Sequence, residues 1–315
     1  MLPDPCTYSQ HGTRGFSQRG FGRHQSRRGK MNQSSGSLDS TYEYQTKVFC
    51  LISDQRVFRS KSPEMFTTVI GRTGIKGAYV PFMVEDGNIG KALESLRVLN
   101  IAGASITAPF KEKVLPYLDV LSEGANIIGA VNTIVCKAGH LKGYNTNAIG
   151  IMDALNEIGF DIAGKKALVI GTGGAARAVV FILNWLRAES IVVAGRDDEK
   201  NHRLAGHFSC TPRMLKELAD VHVNVDLIVN ATSISSSGES SELTGIVGSM
   251  KSNGCQLVFD LNYGRRDNIW QALAAKNGNQ FMDGVSALAY QARRTFLLWT
   301  GQDVPHQEFL KALEG

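Results

Sequence analysis

Residues 166–186 constrain the fold more than any other stretch. Ala167-Leu168-Val169-Ile170 is a short apolar run rich in branched residues, the composition of a strand buried in a parallel sheet. It breaks at Gly171-Thr172-Gly173-Gly174-Ala175-Ala176-Arg177 and resumes as Ala178-Val179-Val180-Phe181-Ile182-Leu183, a run of helical character. Gly171 allows a sharp turn after the strand. Gly173 has no Cβ, so a pyrophosphate can approach the backbone, and Ala176 is small where helix packs on strand. The start of that helix offers unpaired N–H groups and a partial positive charge to a phosphate. Gly-x-Gly-x-x-Ala by itself is common; between a strand and a helix it predicts a dinucleotide site.

A second strand, Ser190-Ile191-Val192-Val193-Ala194, should lie beside the first. An acidic residue at its end would bind a ribose 2′-hydroxyl. Gly195-Arg196 stands there instead, and the guanidinium of Arg196 suits a 2′-phosphate. NADP is therefore the expected cofactor. NAD is the alternative, because Asp197, Asp198 and Glu199 follow at once and any of them could reach the ribose.

A chain of 315 residues has the length of two domains, and 43% hydrophobic residues suffice for two cores. No run is long and apolar enough to span a membrane. Five scattered cysteines show no metal-ligand spacing and read as free thiols in a reducing compartment, and the histidines imply no metal either. The net charge of +5 belongs to residues 1–30, which hold six basic side chains and one acid. The remainder is neutral, so charge gives no ground for a nucleic-acid partner. Residues 1–44, poor in aliphatics and rich in Gly, Ser, Gln and Arg, are expected to be a disordered basic tail. It reads as sequence upstream of a start at Met31 or a cloning-derived leader, then as an organellar import signal, and last as an RNA-binding arm. A cytoplasmic location is the expectation for the rest.

The ordered chain should begin with a strand at 46–52. In Ser60-Lys61-Ser62-Pro63, Ser62 suits a helix N-cap and Pro63 a first helical residue. Ser60 is not needed for that cap, and two hydroxyls at a helix start could hold a carboxylate. Further expectations are a strand at 77–82, a helix at 90–99 and a short strand at 104–107 stopped by Pro109. A helical turn at 111–118 would then place Lys111 where a strand ends and a helix starts, a position where the helix end favours a neutral lysine. Residues 129–135 read as a strand with Asn132 embedded in it, an amide that asks for a partner in ligand or backbone. Asn147 can cap a helix over 148–155.

Together these stretches resemble the shikimate dehydrogenase family, over nearly all of residues 46–301. Ser60-Lys61-Ser62-Pro63 looks like its carboxylate-binding Ser-x-Ser-Pro, and Ile106-Thr107-Ala108-Pro109-Phe110-Lys111 like the segment that carries its catalytic lysine. Gly129-Ala130-Val131-Asn132-Thr133 is the family's run unchanged. The glycine loop 171–178, Asn230-Ala231-Thr232, Asp260-Leu261-Asn262-Tyr263 and the stretch from Asp283-Gly284 through Gln291 to Gly301 follow in the family's order. The resemblance implies an α/β fold of two domains. A substrate domain would span 45–146 plus 286–315, and a Rossmann-type doubly wound nucleotide domain 147–285. It implies NADP-dependent interconversion of 3-dehydroshikimate and shikimate in aromatic amino acid biosynthesis, with quinate and NAD as the alternative pair. Ser60, Ser62 and Tyr263 would hold the substrate carboxylate. Thr107, Asn132 and Gln291 would bind ring hydroxyls, and Lys111 would transfer the proton. Gly171, Gly173, Gly174, Ala175, Arg196, Asn230 and Thr232 would hold the cofactor, and Gly284 would let the nicotinamide lie against the backbone.

One departure matters most. The family's Asn-Thr-Asp is Asn145-Thr146-Asn147 here, so the acid that pairs with the catalytic lysine is an amide. An amide still hydrogen-bonds but cannot act as a base. Its loss should lower the pKa of Lys111. An inactivating substitution, a variant in which Lys111 works alone, and a shift of ligand all fit. A homologue that binds a metabolite without turning it over is the rival from another class. Gly264-Arg265-Arg266 and Ser233-Ile234-Ser235 also depart from the family pattern, beside the expected cleft.

Overall fold

The computed structural model describes residues 46–219, 222–252 and 254–314. The basic tail at 1–44 lies outside the described residues. Two six-stranded sheets, each with helices on both faces, make an α/β fold.

The first sheet is built from β1 (Lys47–Ser53), β2 (Gly77–Met83), β3 (Gly103–Ile106), β4 (Val120–Leu121), β5 (Thr133–Lys137) and β6 (His140–Tyr144), in the spatial order β2-β1-β3-β5-β6-β4. β1, β2 and β3 are parallel, while β5 runs antiparallel to both β3 and β6. Three helices belong to this part: α1 (Ser62–Arg72), α2 (Ile89–Val98) and α3 (Glu123–Ile128). Then come α4 (Asn147–Glu157), β7 (Lys166–Ile170), α5 (Gly174–Trp185), β8 (Ser190–Gly195), α6 (Asp198–Phe208), β9 (Thr211–Met214) and β10 (Leu227–Asn230). The chain continues through α7 (Ser241–Ser249), β11 (Leu257–Asp260), α8 (Ile269–Asn277) and β12 (Gln280–Met282) to α9 (Val285–Thr300) and α10 (His306–Glu314). The second sheet, β12-β11-β10-β7-β8-β9, is parallel throughout. Its order reverses beside β7, the strand that ends in the glycine turn, and such a reversal opens a crevice at the strand ends.

Both faces of β7 are covered, Ala167 and Val169 towards α4, α5 and α6, Leu168 and Ile170 towards α7 and α8. That is why its sequence is continuously apolar rather than alternating. α9 returns to the first sheet. Its Phe296 and Trp299 join Phe49, Phe66 and Tyr79 in an aromatic core, with Trp299 stacked on Phe49 at 4.9 Å. The Trp299 indole N–H donates to the Ile134 carbonyl at 2.9 Å. α9 also packs along α4, where Gly150 lets the two backbones touch: a Cβ there would meet the Ala287 carbonyl and the Gln291 side chain.

Several local expectations change. β5 begins at Thr133, and Asn132 precedes it, because Gly129 (φ 66°) ends α3 in the left-handed region and residues 130–132 must turn into the sheet. No α-helix covers 111–118; turns lead into a 3₁₀ turn at Leu115–Tyr117. Pro116 has no N–H to give to a helical ladder and its ring clashes with the preceding turn. The strand expected at 104–107 runs from Gly103 to Ile106. Ser62 does not cap α1: it is the first helical residue, and its N–H donates to the Ser60 hydroxyl at 3.2 Å. Asn147 likewise lies inside α4, and the Asn145 side chain accepts from the Ala148 N–H. In both places the cap is made earlier in the chain, which releases the next polar side chain for other work.

Candidate functional site

A cleft of about 600 Å³ lies between the two sheets. Ser60, Ser62, Thr107, Lys111, Asn132, Asn147 and Gln291 line one side of it, and Ala175, Thr232, Tyr263 and Gly284 the other. Residues from opposite ends of the chain thus face one space. Gly171, Gly173, Gly174, Arg196 and Asn230 are not on its walls.

Lys111 stands where the two halves meet. Gly174, the first residue of α5, is so close that a Cβ on it would lie 2.8 Å from Cβ of Lys111. This glycine serves the approach of the lysine segment to the phosphate loop. The cleft leaves part of Lys111 accessible, yet burial of the ammonium lowers its pKa to about 8. Desolvation is the sole cause, and no carboxylate opposes it.

The Lys111 end of the cleft is a net of amides and hydroxyls. Asn132 is buried; its side-chain oxygen accepts from the Thr146 N–H at 2.7 Å. Its NH2 lies 2.8 Å from Thr146 Oγ1, 2.8 Å from Asn147 Oδ1 and 2.9 Å from Gln291 Oε1, three acceptors sharing two hydrogens. Beneath them Thr133, Thr146 and Thr295 form a closed triangle of hydroxyls, 2.9–3.2 Å apart. Asn132, just before β5, therefore finds partners in α4 and α9.

At the other end, Ser60, Ser62 and Tyr263 converge. Burial raises the Tyr263 pKa, while hydrogen bonding to the Lys61 backbone and the Ser60 hydroxyl opposes the rise. Arg56, Arg59, Lys61 and Arg265 line this end too. Sequence reasoning passed over these cations. Arg59 and Lys61 flank Ser60, and that adjacency was the available signal for an anion-binding rim. Arg265 ion-pairs with Glu239 at 3.1 Å, and Glu239 accepts from the Ser235 and Ser236 N–H groups. The two unusual loops at 233–235 and 264–266 are thereby tied together.

The glycine turn suits a dinucleotide. Gly171 has φ 118°, a conformation closed to other residues. Gly173 takes the N-cap position of α5 with no side chain capping it, and the first α5 ladder bond is Arg177 N–H to the Gly173 carbonyl. The preceding N–H groups keep no helical partner and are available to phosphate. Arg177, part of the same motif, points away: its Nε donates to the Ile128 carbonyl at 2.6 Å. Arg196 is exposed and has no partner among the described residues. The acids after it are engaged on α6: Asp197 caps it, Asp198 meets His202, and Glu199 meets Arg203.

Asn230 is fully buried and touches no cleft surface. Its oxygen accepts from the Thr232 N–H and hydroxyl, and its nitrogen donates to Asp260, Ile234 and Ser235. It shapes the loop that carries Thr232 to the cleft. Gly284 is the N-cap of α9, and a Cβ there would collide with the Leu261 carbonyl.

Comparison with known proteins accords with this geometry. Residues 52–134 match the shikimate dehydrogenase substrate binding domain, and residues 153–266 match shikimate / quinate 5-dehydrogenase. A relative named shikimate dehydrogenase (NADP(+)) from Caldanaerobacter subterraneus is 37% identical over 84% of this chain and 94% of its own length. One of the same name from Moorella thermoacetica is 37% identical over 79% of this chain and 86% of its own. Among solved structures, shikimate dehydrogenase from Aquifex aeolicus superposes with a TM-score of 0.76 at 29% identity, covering 86% of this chain and 99% of its own. Shikimate 5-dehydrogenase of Thermus thermophilus, solved with NADP(H) and shikimate, superposes with a TM-score of 0.73 at 29% identity, covering 85% and 99%.

Proposed function

The chain belongs to the shikimate dehydrogenase family, and from that premise we propose that it interconverts 3-dehydroshikimate and shikimate with NADP, Lys111 passing the proton. The observation that carries the proposal is the contact of Lys111 with Gly174, which sets a proton-transfer group against the mouth of the phosphate loop.

The unpaired N–H groups at the start of α5 fit a pyrophosphate, and the unpartnered Arg196 fits a 2′-phosphate better than its engaged acidic neighbours fit a ribose. With NADP held by these residues, its nicotinamide, against Gly284, would supply or accept the hydride. Ser60, Ser62 and Tyr263 offer hydroxyl donors to the ring carboxylate, with Arg59 and Lys61 adding positive charge at the rim. Thr107 and Gln291 orient the ring, and Asn132 holds Gln291 in place through its amide. Lys111 gives its proton to the ring oxygen in reduction and takes it back in oxidation. A pKa of about 8 keeps both forms of the amine populated near neutrality, which suits a reversible reaction without a partner acid.

No helix of the described residues is long and apolar enough to cross a membrane. We place the enzyme in the cytoplasm, acting on small molecules, with no nucleic-acid partner. The test is the absorbance of the reduced nicotinamide on mixing the protein with shikimate or quinate and NADP or NAD. Reduction of NADP by shikimate, faster than in the other arms, is expected. No reduction in any arm would sink the proposal.

A further inference from the structure

We infer that Asn147 and Gln291 turn unpartnered NH2 groups, and no carboxylate, towards the cleft that Lys111 lines, which favours a carbonyl oxygen over a hydroxyl there, so the chain binds the ketone of its substrate pair more tightly than the alcohol. The inference rests on the shikimate dehydrogenase reading and specifies what its site selects.

One group here has a polarity that is not open to choice. The backbone N–H of Thr146 can only donate, and it donates to the side chain of Asn132 at 2.7 Å. The oxygen of Asn132 therefore faces Thr146, and its NH2 faces Asn147 and Gln291. An NH2 group is matched only by acceptors, so both partners must turn their oxygens inward. Gln291 is fixed a second time, because its oxygen also accepts from the Thr146 hydroxyl at 3.1 Å. The NH2 groups of Asn147 and Gln291 are left without partners among the described residues, on side chains that line the cleft. Lys111 lines the same cleft and brings the donors of its ammonium.

A carboxylate at 147 would behave differently. One oxygen would serve Asn132 and the second would face the cleft as an acceptor. The amide answers Asn132 equally well but shows the cleft a donor. A ring hydroxyl seated here can accept from these groups, yet none of the three takes its proton while Lys111 is charged. A ketone oxygen has no proton to place and two lone pairs to offer. Mispairing one polar group in such a site weakens binding by roughly tenfold or more.

The experiment is a calorimetric titration of the full chain with shikimate and, separately, 3-dehydroshikimate, repeated on Asn147→Asp and Gln291→Glu. A carboxylate at the first residue of α4 suits the helix start, so Asn147→Asp should fold. The wild type is expected to bind 3-dehydroshikimate at least about tenfold more tightly than shikimate. Each substitution should move that ratio towards shikimate, Asn147→Asp by about tenfold. A wild-type ratio near one, or a ratio that Asn147→Asp leaves unchanged while both ligands bind, would overturn the inference and leave the proposed function standing. Failure of every protein to bind either ligand would overturn both.

Discussion

Two clusters of asparagines lie on either side of the cleft, and they are built to opposite ends. One joins Asn132, Asn147 and Gln291 at the edge of the first sheet. The other joins Asn230, Asn262 and Asn268 at the edge of the second, around the carboxylate of Asp260. Asp260 is fully buried, and its oxygens accept from Asn230 at 2.8 Å, from the Asn262 N–H and side chain at 3.1 Å, and from Asn268 at 2.8 Å. The acid absorbs donors from all three amides, so the second cluster is held together around it. The first has no acid: Asn132 claims the oxygens of Asn147 and Gln291, and their NH2 groups, with no acceptor inside the cluster, are left to the cleft. The same side-chain types make a scaffold or a receptor according to that balance.

The two clusters part most visibly at Lys111, which lines the cleft with the open one. Lys111→Met should cut turnover by about 10²–10⁴-fold, the usual worth of a positioned acid–base group. Its unfolding midpoint in urea should not fall, since the change removes a buried charge rather than a contact. Asp260→Ala should do the reverse. It strands three amides, so a stability loss of roughly 2–4 kcal/mol is expected in urea unfolding. An equal stability loss for the two variants would erase the distinction drawn here.

A smaller effect sharpens it through pH. Burial holds the Lys111 pKa near 8 against 10.5 for the free side chain. Between those values the unfolded chain binds more protons than the folded one, so stability rises with pH across that window. The penalty of burying the charged form is fully present below about 8 and is relieved above it. Subtracting the stability of Lys111→Met from that of the wild type should reveal this rise. The rate of shikimate oxidation should climb through the same pH as the amine becomes neutral, and the rate of ketone reduction should fall. In Asn147→Asp both limbs should move to higher pH, because a nearby carboxylate favours the ammonium.

The glycine turn was legible in the sequence because strand, turn and helix are contiguous and each glycine has a local reason. The residues proposed to hold substrate were legible only through family resemblance, since their contacts cross the chain: Asn132 meets Gln291 over 159 positions. The caps were misread because Ser62 and Asn147 have the right chemistry, but Ser60 and Asn145, each two places earlier, were better placed to close the turn. Asn230 was assigned to the cofactor by its motif, whereas its burial shows it acting on Thr232. The direction in which the Asn147 amide points was unreadable without coordinates, because a backbone N–H one residue before it sets that direction by way of Asn132.

Helix α9 begins at the wall formed by Gly284, carries Gln291 and ends with Trp299 anchored under the first sheet. A helix rises about 1.5 Å per residue, so some 10 Å separates the first two positions whatever the loops around them do. The rod works as a gauge between the Gly284 wall and the Gln291 side chain of the cleft. Adding a single residue between 284 and 291 would lengthen it only slightly but would swing Gln291 by about 100°. The molecule can tolerate change in the loops far more readily than a miscount along this one rod.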